Sequence, residues 1–218
     1  MKKGNLASVL VIVAAIFTAC ETKEIPISGT ISGHDYVDLN LPSGTLWATC
    51  NVGADSPKDF GDYFSWGEVS SKSSYELDNY VYGYDSDFWD YKKYNDSDGA
   101  RTLSSYDDVA YSKWGSSWRM PTIDQLQELV DECTWSWINY KGKKGYKVKS
   151  RTSDNFIFLP AAGYRYSDGG YIKKMGYYWS INRTESTSNA QILHFYEGNI
   201  EIDYIPRFNG LSVRPVLK

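Results

Sequence analysis

Histidine is scarce: His34 and His194 are the only two in 218 residues. They fall on unrelated segments, and no His–Cys cluster has the spacing of a zinc site, so spacing alone gives no reason to expect a metal. Nucleophile motifs are also missing. There is no Gly-x-Ser-x-Gly elbow and no Ser-x-x-Lys, and no glycine-rich loop that could cradle a phosphate. The 27 acidic residues offer many carboxylate pairs, but none has a context that lifts it above the rest. These gaps point away from an enzyme and from a bound cofactor. A basic surplus is lacking as well. The formal net charge is −4, which argues against nucleic acid as a partner. The one long apolar run, Leu6 to Phe17, is too short and wrongly flanked to span a membrane.

That run belongs to the opening segment "MKKGNLASVLVIVAAIFTAC". Lys2 and Lys3 form a basic start, the apolar stretch follows, and Thr18-Ala19-Cys20 closes it in the manner of a secretory signal. The cysteine at the cleavage point resembles a bacterial lipobox, with Phe17 where leucine is usual. The alternative is a plain secretory signal with a chance cysteine. The expectation is removal of residues 1–19 and lipidation of Cys20. Residues 20–33 then serve as a polar tether, and the anchor sits in the outer membrane, facing the periplasm or the cell surface. Two cysteines remain, Cys50 and Cys133. Outside the cytoplasm such a pair could form a disulfide. Each also sits on an apolar face, where a free cysteine behaves as a small hydrophobe.

The remaining residues, 34–218, read as one α+β domain. "YVDLNLPSGTLWATCNV" is a hairpin: Val37, Leu39 and Leu41 alternate with polar residues, and Pro42-Ser43-Gly44 turns the chain. Leu46, Ala48, Cys50 and Val52 then share one face, opposite Trp47 and Thr49. "DYFSWG" (62–67) is a further strand candidate. Residues 105–115 suit a short helix capped by Ser104 or Ser105 and ended by Gly115. In "RMPTIDQLQELVDEC", Pro121 sets an extended entry, and Thr122 and Gln125 have capping-box spacing. Ile123, Leu126, Leu129, Val130 and Cys133 fall on one helical stripe. After it come strand-sized runs, including a hairpin in which Ile192, His194 and Tyr196 alternate, Glu197-Gly198-Asn199 turns, and Ile200, Ile202 and Tyr204 continue the period of two.

Residues 68–104 are different. They hold few aliphatics but many Tyr and Asp, and they predict a long, irregular surface excursion. Tyr80, Tyr82, Tyr84 and Trp89 are the candidate ligand contacts there, since flat rings beside acids and amides suit sugars and tyrosine suits protein contacts. The competing expectation is that these rings pack down and hold a loop short of aliphatics. Asp85, Asp87 and Asp90 could share a calcium ion, or form a solvated face. "NDSDGAR" has the start of a calcium loop, but Ser105 stands where the bidentate acid of an EF-hand belongs.

"HDYVDLNLPSGTLWATCNVGA", "GDYFSWGE", "WGSSWRMPT", "CTWSW", "GYKV", "IFLPAAGYR", "GYYWS" and "LSVRPV" occur in that order. Together they resemble the Fibrobacter succinogenes major paralogous domain family, common in lipoproteins of Bacteroides-like bacteria. The resemblance covers roughly His34 to Val216 and is thinnest over 68–104. It implies a C-type lectin-like fold similar to that of the formylglycine-generating enzymes, with short twisted antiparallel strands, two short helices and long loops. By the same resemblance, Arg119, Pro121, Thr122 and Arg214 are scaffold positions, with Gln125 where a glutamate is expected. The late cysteines of those enzymes and the Glu-Pro-Asn and Trp-Asn-Asp triplets of calcium lectins are absent here. The expected function is that of a lipid-anchored, non-enzymatic binding or adhesion module for a glycan or protein ligand. The alternatives are a structural envelope or pilus-tip subunit, and an enzyme of unknown reaction on that scaffold.

Overall fold

The computed structural model describes residues 23–85, 90–167, 170–172 and 174–217. It is mostly β-sheet, with few and short helices. In chain order the strands are β1 (Gly29–Ile31), β2 (His34–Asp38), β3 (Leu46–Ala48), β4 (Tyr84–Asp85), β5 (Asp90–Tyr91), β6 (Trp118–Arg119), β7 (Cys133–Tyr140), β8 (Lys143–Ser150), β9 (Phe156–Pro160), β10 (Tyr164–Tyr166), β11 (Gly170–Ile172), β12 (Gly176–Arg183), β13 (Asn189–Tyr196), β14 (Asn199–Pro206) and β15 (Val216–Leu217). The helices are α1 (Val109–Trp114) and α2 (Ile123–Glu132).

An antiparallel sheet in the order β1-β2-β3-β15-β6 divides the apolar interior in two. Side chains alternate across a strand, and here both faces are covered. Val37, Trp47 and Val216, in register on β2, β3 and β15, enter one cluster with Leu126, Leu129, Phe158 and Phe195. Leu46, Ala48, Trp118 and Leu217 face the other, which gathers Phe64, Trp66, Trp114, Trp179 and Ile192. The expected hairpin is therefore β2–β3, but its second strand is not half-solvated: Trp47 is fully buried. Residues 25–33, expected as part of a tether, are tied to the domain at two points, although Ile27 and most of the polar residues stay exposed. β1 pairs with β2, and Ile25 joins the first cluster.

α2 starts as the capping-box spacing predicts. Thr122 Oγ1 accepts from the Gln125 amide (3.2 Å), and Gln125 Oε1 accepts from the Thr122 amide (2.9 Å). Leu126 and Leu129 are its buried face. Cys133, expected on that stripe, is the helix C-cap and opens β7. The cap of α1 differs from expectation. Ser105–Asp107 form a separate 3₁₀ turn, and Asp108 is the N-cap, accepting from the amides of Ala110 (2.9 Å) and Tyr111 (3.2 Å). Its second oxygen accepts from the Met120 amide (2.9 Å), so one carboxylate fixes both the helix start and the end of β6. Ser104 precedes the 3₁₀ turn instead, four residues before Asp108, and its hydroxyl donates to Asp107. The "DYFSWG" stretch makes a bridge at Phe64–Leu211 rather than a full strand.

The later sheets are β7-β8-β9 and β12-β13-β14. β9 is buried along its whole length, with Phe156, Ile157, Phe158 and Leu159 all in the first cluster. Arg214 is buried completely among them. It donates to the carbonyls of Ala48 (3.2 Å) and Phe158 (3.0 Å) and to Asn51 Oδ1 (2.9 Å), tying β3 to β9.

Candidate functional site

The segment 68–104 has few aliphatics, with Leu103 the one buried among them, so other groups must help to hold it. Tyrosines do, with their rings turned inward. Tyr75, Tyr80, Tyr91 and Tyr94 are buried. Hydroxyls of buried phenols need partners: Tyr75 donates to the Tyr63 carbonyl (2.6 Å) and Tyr80 to the Trp66 carbonyl (2.6 Å). Arg207, fully buried, lies over the Trp66, Tyr80 and Tyr91 rings and donates to the carbonyls of Tyr94 (2.9 Å) and Lys93 (3.1 Å). Arg183 reaches the carbonyls of Ala100 (2.8 Å) and Asn95 (3.1 Å) in the same way. Guanidinium donors thus satisfy loop carbonyls that no strand partner reaches.

Asp107 closes this arrangement. Its carboxylate accepts from Tyr82 Oη (2.6 Å), Lys93 Nζ (2.5 Å), Ser104 Oγ (2.9 Å) and Tyr94 Oη. Burial alone would raise the Asp107 pKa; the donors from Lys93, Tyr82, Tyr94 and Ser104 outweigh it and hold the group down at about 2.

This geometry redraws the expected contact set. Tyr80 is 3% exposed and cannot meet a ligand. Tyr82 is half-buried, with its hydroxyl committed to Asp107. Tyr84 is exposed and stands edge-on to Tyr91. Trp89 lies outside the described residues, as do Cys20 and Asp87. Of the other expected calcium ligands, Asp85 is described only in its backbone, and Asp90 accepts from the amides of Tyr91 (2.8 Å) and Asp96 (3.4 Å). The "NDSDGAR" turn is held by Asp98, which accepts from the amides of Tyr94, Asn95 and Ala100.

The scaffold positions behave as local ties. Arg119 donates to the carbonyls of Ser116 (2.8 Å) and Trp118 (2.6 Å) and covers the Tyr111 ring. Pro121 offers its carbonyl to the Ile181 amide (2.8 Å). Of the two readings for Cys50 and Cys133, the structure has the free pair: both thiols are unbridged. Cys133 belongs to the first cluster and Cys50 packs against the second, on the other side of the central sheet. Burial pushes the Cys133 thiol up to about 12 and raises Cys50 as well.

What the excursion does present is one wall of a groove of about 520 Å³. Glu76, Leu77 and Asp78 line it from the excursion, together with Tyr164 and Tyr166 of β10 and with Phe208 and Asn209. Tyr166 is 38% exposed, and its ring meets Tyr164 at 5.6 Å. The rings continue beyond the groove, from Tyr164 to Tyr177 (4.7 Å) and from Tyr177 to His194, stacked at 4.4 Å. His194 in turn stands beside Glu201 and Asp203. Neither Tyr164 nor this trio was singled out by spacing. The hairpin period seen at 192–204 held the signal for the trio, because pairing Tyr196 with Asn199 sets His194 opposite Glu201. The groove residues come from three distant segments, and no local pattern joins them.

Comparison with protein-family models, with curated proteins and with solved structures gave no match. Among the described residues, no helix is long and apolar enough to cross a membrane.

Proposed function

We propose that this chain is a lipid-anchored cell-envelope binding module, of the major paralogous domain type and C-type lectin-like architecture, that takes a glycan in the groove between residues 76–78 and β10. Cys20 carries the anchor, and binding rather than turnover is the activity. The observation that carries the reading is the groove itself, whose lining brings two neighbouring tyrosine rings, Tyr164 and Tyr166, together with the acidic residues Glu76 and Asp78. A pyranose has a C–H face that packs on an aromatic ring and equatorial hydroxyls that need acceptors. Tyr164 and Tyr166 supply the first, and Glu76 and Asp78 the second. Clefts that combine apolar walls with a few placed polar groups are the usual form of small-ligand sites. The ligand contacts thus move from the tyrosines inside the excursion to its outer edge.

The test is a glycan array probed with the full chain, followed by calorimetry on hits. Tyr166→Ala and Asp78→Ala should each weaken binding at least tenfold while leaving the thermal midpoint unchanged, since both side chains are solvent-accessible. Binding that survives both substitutions places the ligand elsewhere and rejects the groove.

A further inference from the structure

The β13–β14 hairpin brings together three metal-binding side chains that lie outside the groove. Register places His194 opposite Glu201, and Asp203 follows two residues along β14 on the same face. One donor atom from each residue lies within 4.8 Å of the other two, and His194 Nδ1 stands 3.1 Å from Glu201 Oε1. The histidine is held in place by packing: it is 9% exposed and its ring is stacked on Tyr177. Glu201 and Asp203 are exposed side chains on a regular strand, free to turn a carboxylate oxygen toward the ring. Neither acid has a lysine or arginine partner among the described residues.

We propose that His194, Glu201 and Asp203 form a divalent transition-metal site of the zinc class. Zinc bonds of about 2.0–2.2 Å in a tetrahedron set neighbouring donors roughly 3.3–3.6 Å apart. The His194–Glu201 pair is already close to that spacing, and the third donor reaches it by a side-chain rotation. Two neighbouring carboxylates repel each other, and a dication removes that repulsion. One imidazole with two carboxylates favours zinc-like ions over calcium or magnesium, which prefer all-oxygen shells. The ion takes the lone pair of Nδ1, and the ring's single hydrogen then sits on Nε2. Three protein donors leave a fourth position for water or a ligand atom.

The experiment uses the full chain, stripped with chelator and dialysed, titrated with Zn²⁺ in a calorimeter and with Co²⁺ in a spectrophotometer. One equivalent should bind, with a tetrahedral Co²⁺ spectrum and no sulfur charge-transfer band. Glu201→Gln and Asp203→Asn, both at exposed positions, should each weaken Zn²⁺ at least tenfold with an unchanged thermal midpoint. The absence of saturable binding overturns the site, as does binding undiminished in the double variant. A sulfur band that vanishes in Cys50→Ser would also overturn it, by moving the ion to the thiol.

Discussion

Asp107 shows how much one side chain can carry beside a segment with little aliphatic packing. It gathers donors from Tyr82, Lys93, Tyr94 and Ser104, which bracket most of the second half of the excursion. Its carboxyl titrates at about 2 when folded, below the roughly 3.9 of an unfolded aspartate. The sign follows from that order. The folded state favours the ionised form, so the stabilisation is complete above about pH 4 and is lost as pH falls toward and through 2. Asp107→Asn should therefore cost about 1.5–3 kcal/mol at pH 6, the range for hydrogen bonds to a charged group. The gap between variant and parent in urea unfolding should narrow steadily from pH 4 to pH 2. A gap that does not change with pH would mean that the four donors are satisfied equally well by a neutral amide.

At the scale of single elements, α2 is the part most fully written in local sequence. Thr122→Ala removes the cap oxygen and should cost about 1 kcal/mol in chemical denaturation, with groove binding unaffected. Local chemistry made this helix legible, because Pro121, Thr122 and Gln125 act on their own neighbours. The β2–β3 and β13–β14 hairpins were legible for the same reason: a turn and a period of two lie within a dozen residues. β7 was not. In "CTWSWINY" the large rings Trp135 and Trp137 alternate with Thr and Ser but stay partly exposed, so the run reads as a motif rather than as a strand until β8 pairs with it. The excursion was legible in part. The expectation that its rings pack down holds for Tyr75, Tyr80, Tyr91 and Tyr94, but Arg207, whose side chain lies over Tyr80 and Tyr91 and donates to the carbonyls of Lys93 and Tyr94, comes from more than a hundred residues away in the chain, and no window over 68–104 contains it. The α1 cap was placed at the serines because the 3₁₀ turn at Ser105–Asp107 is not set apart by any local pattern; the second duty of Asp108, at Met120, is a tertiary contact.

At the scale of the whole molecule, the central sheet keeps the two clusters apart, and the two thiols report on them separately. Cys50 is half-buried beside Thr49, whereas Cys133 is 2% exposed in the first cluster. A maleimide added under native conditions should label Cys50 slowly and leave Cys133 untouched, and denaturant should release both; mass spectrometry of the peptides reads the result directly. Equal native labelling would mean that the first cluster opens readily, contrary to its packing.

The position of β15 has a consequence in time. Val216 and Leu217 pair with β3 on one side and β6 on the other. A chain emerging residue by residue has made β1, β2, β3 and β6 long before the strand that joins them exists. Until residue 217 is free, the sheet has a gap at its centre, and neither cluster has its full wall. Assembly must then wait on contacts between distant parts of the chain, which are the slow ones to form. The closed form of the sheet is therefore gained only once Val216 and Leu217 are available to fill the place between β3 and β6.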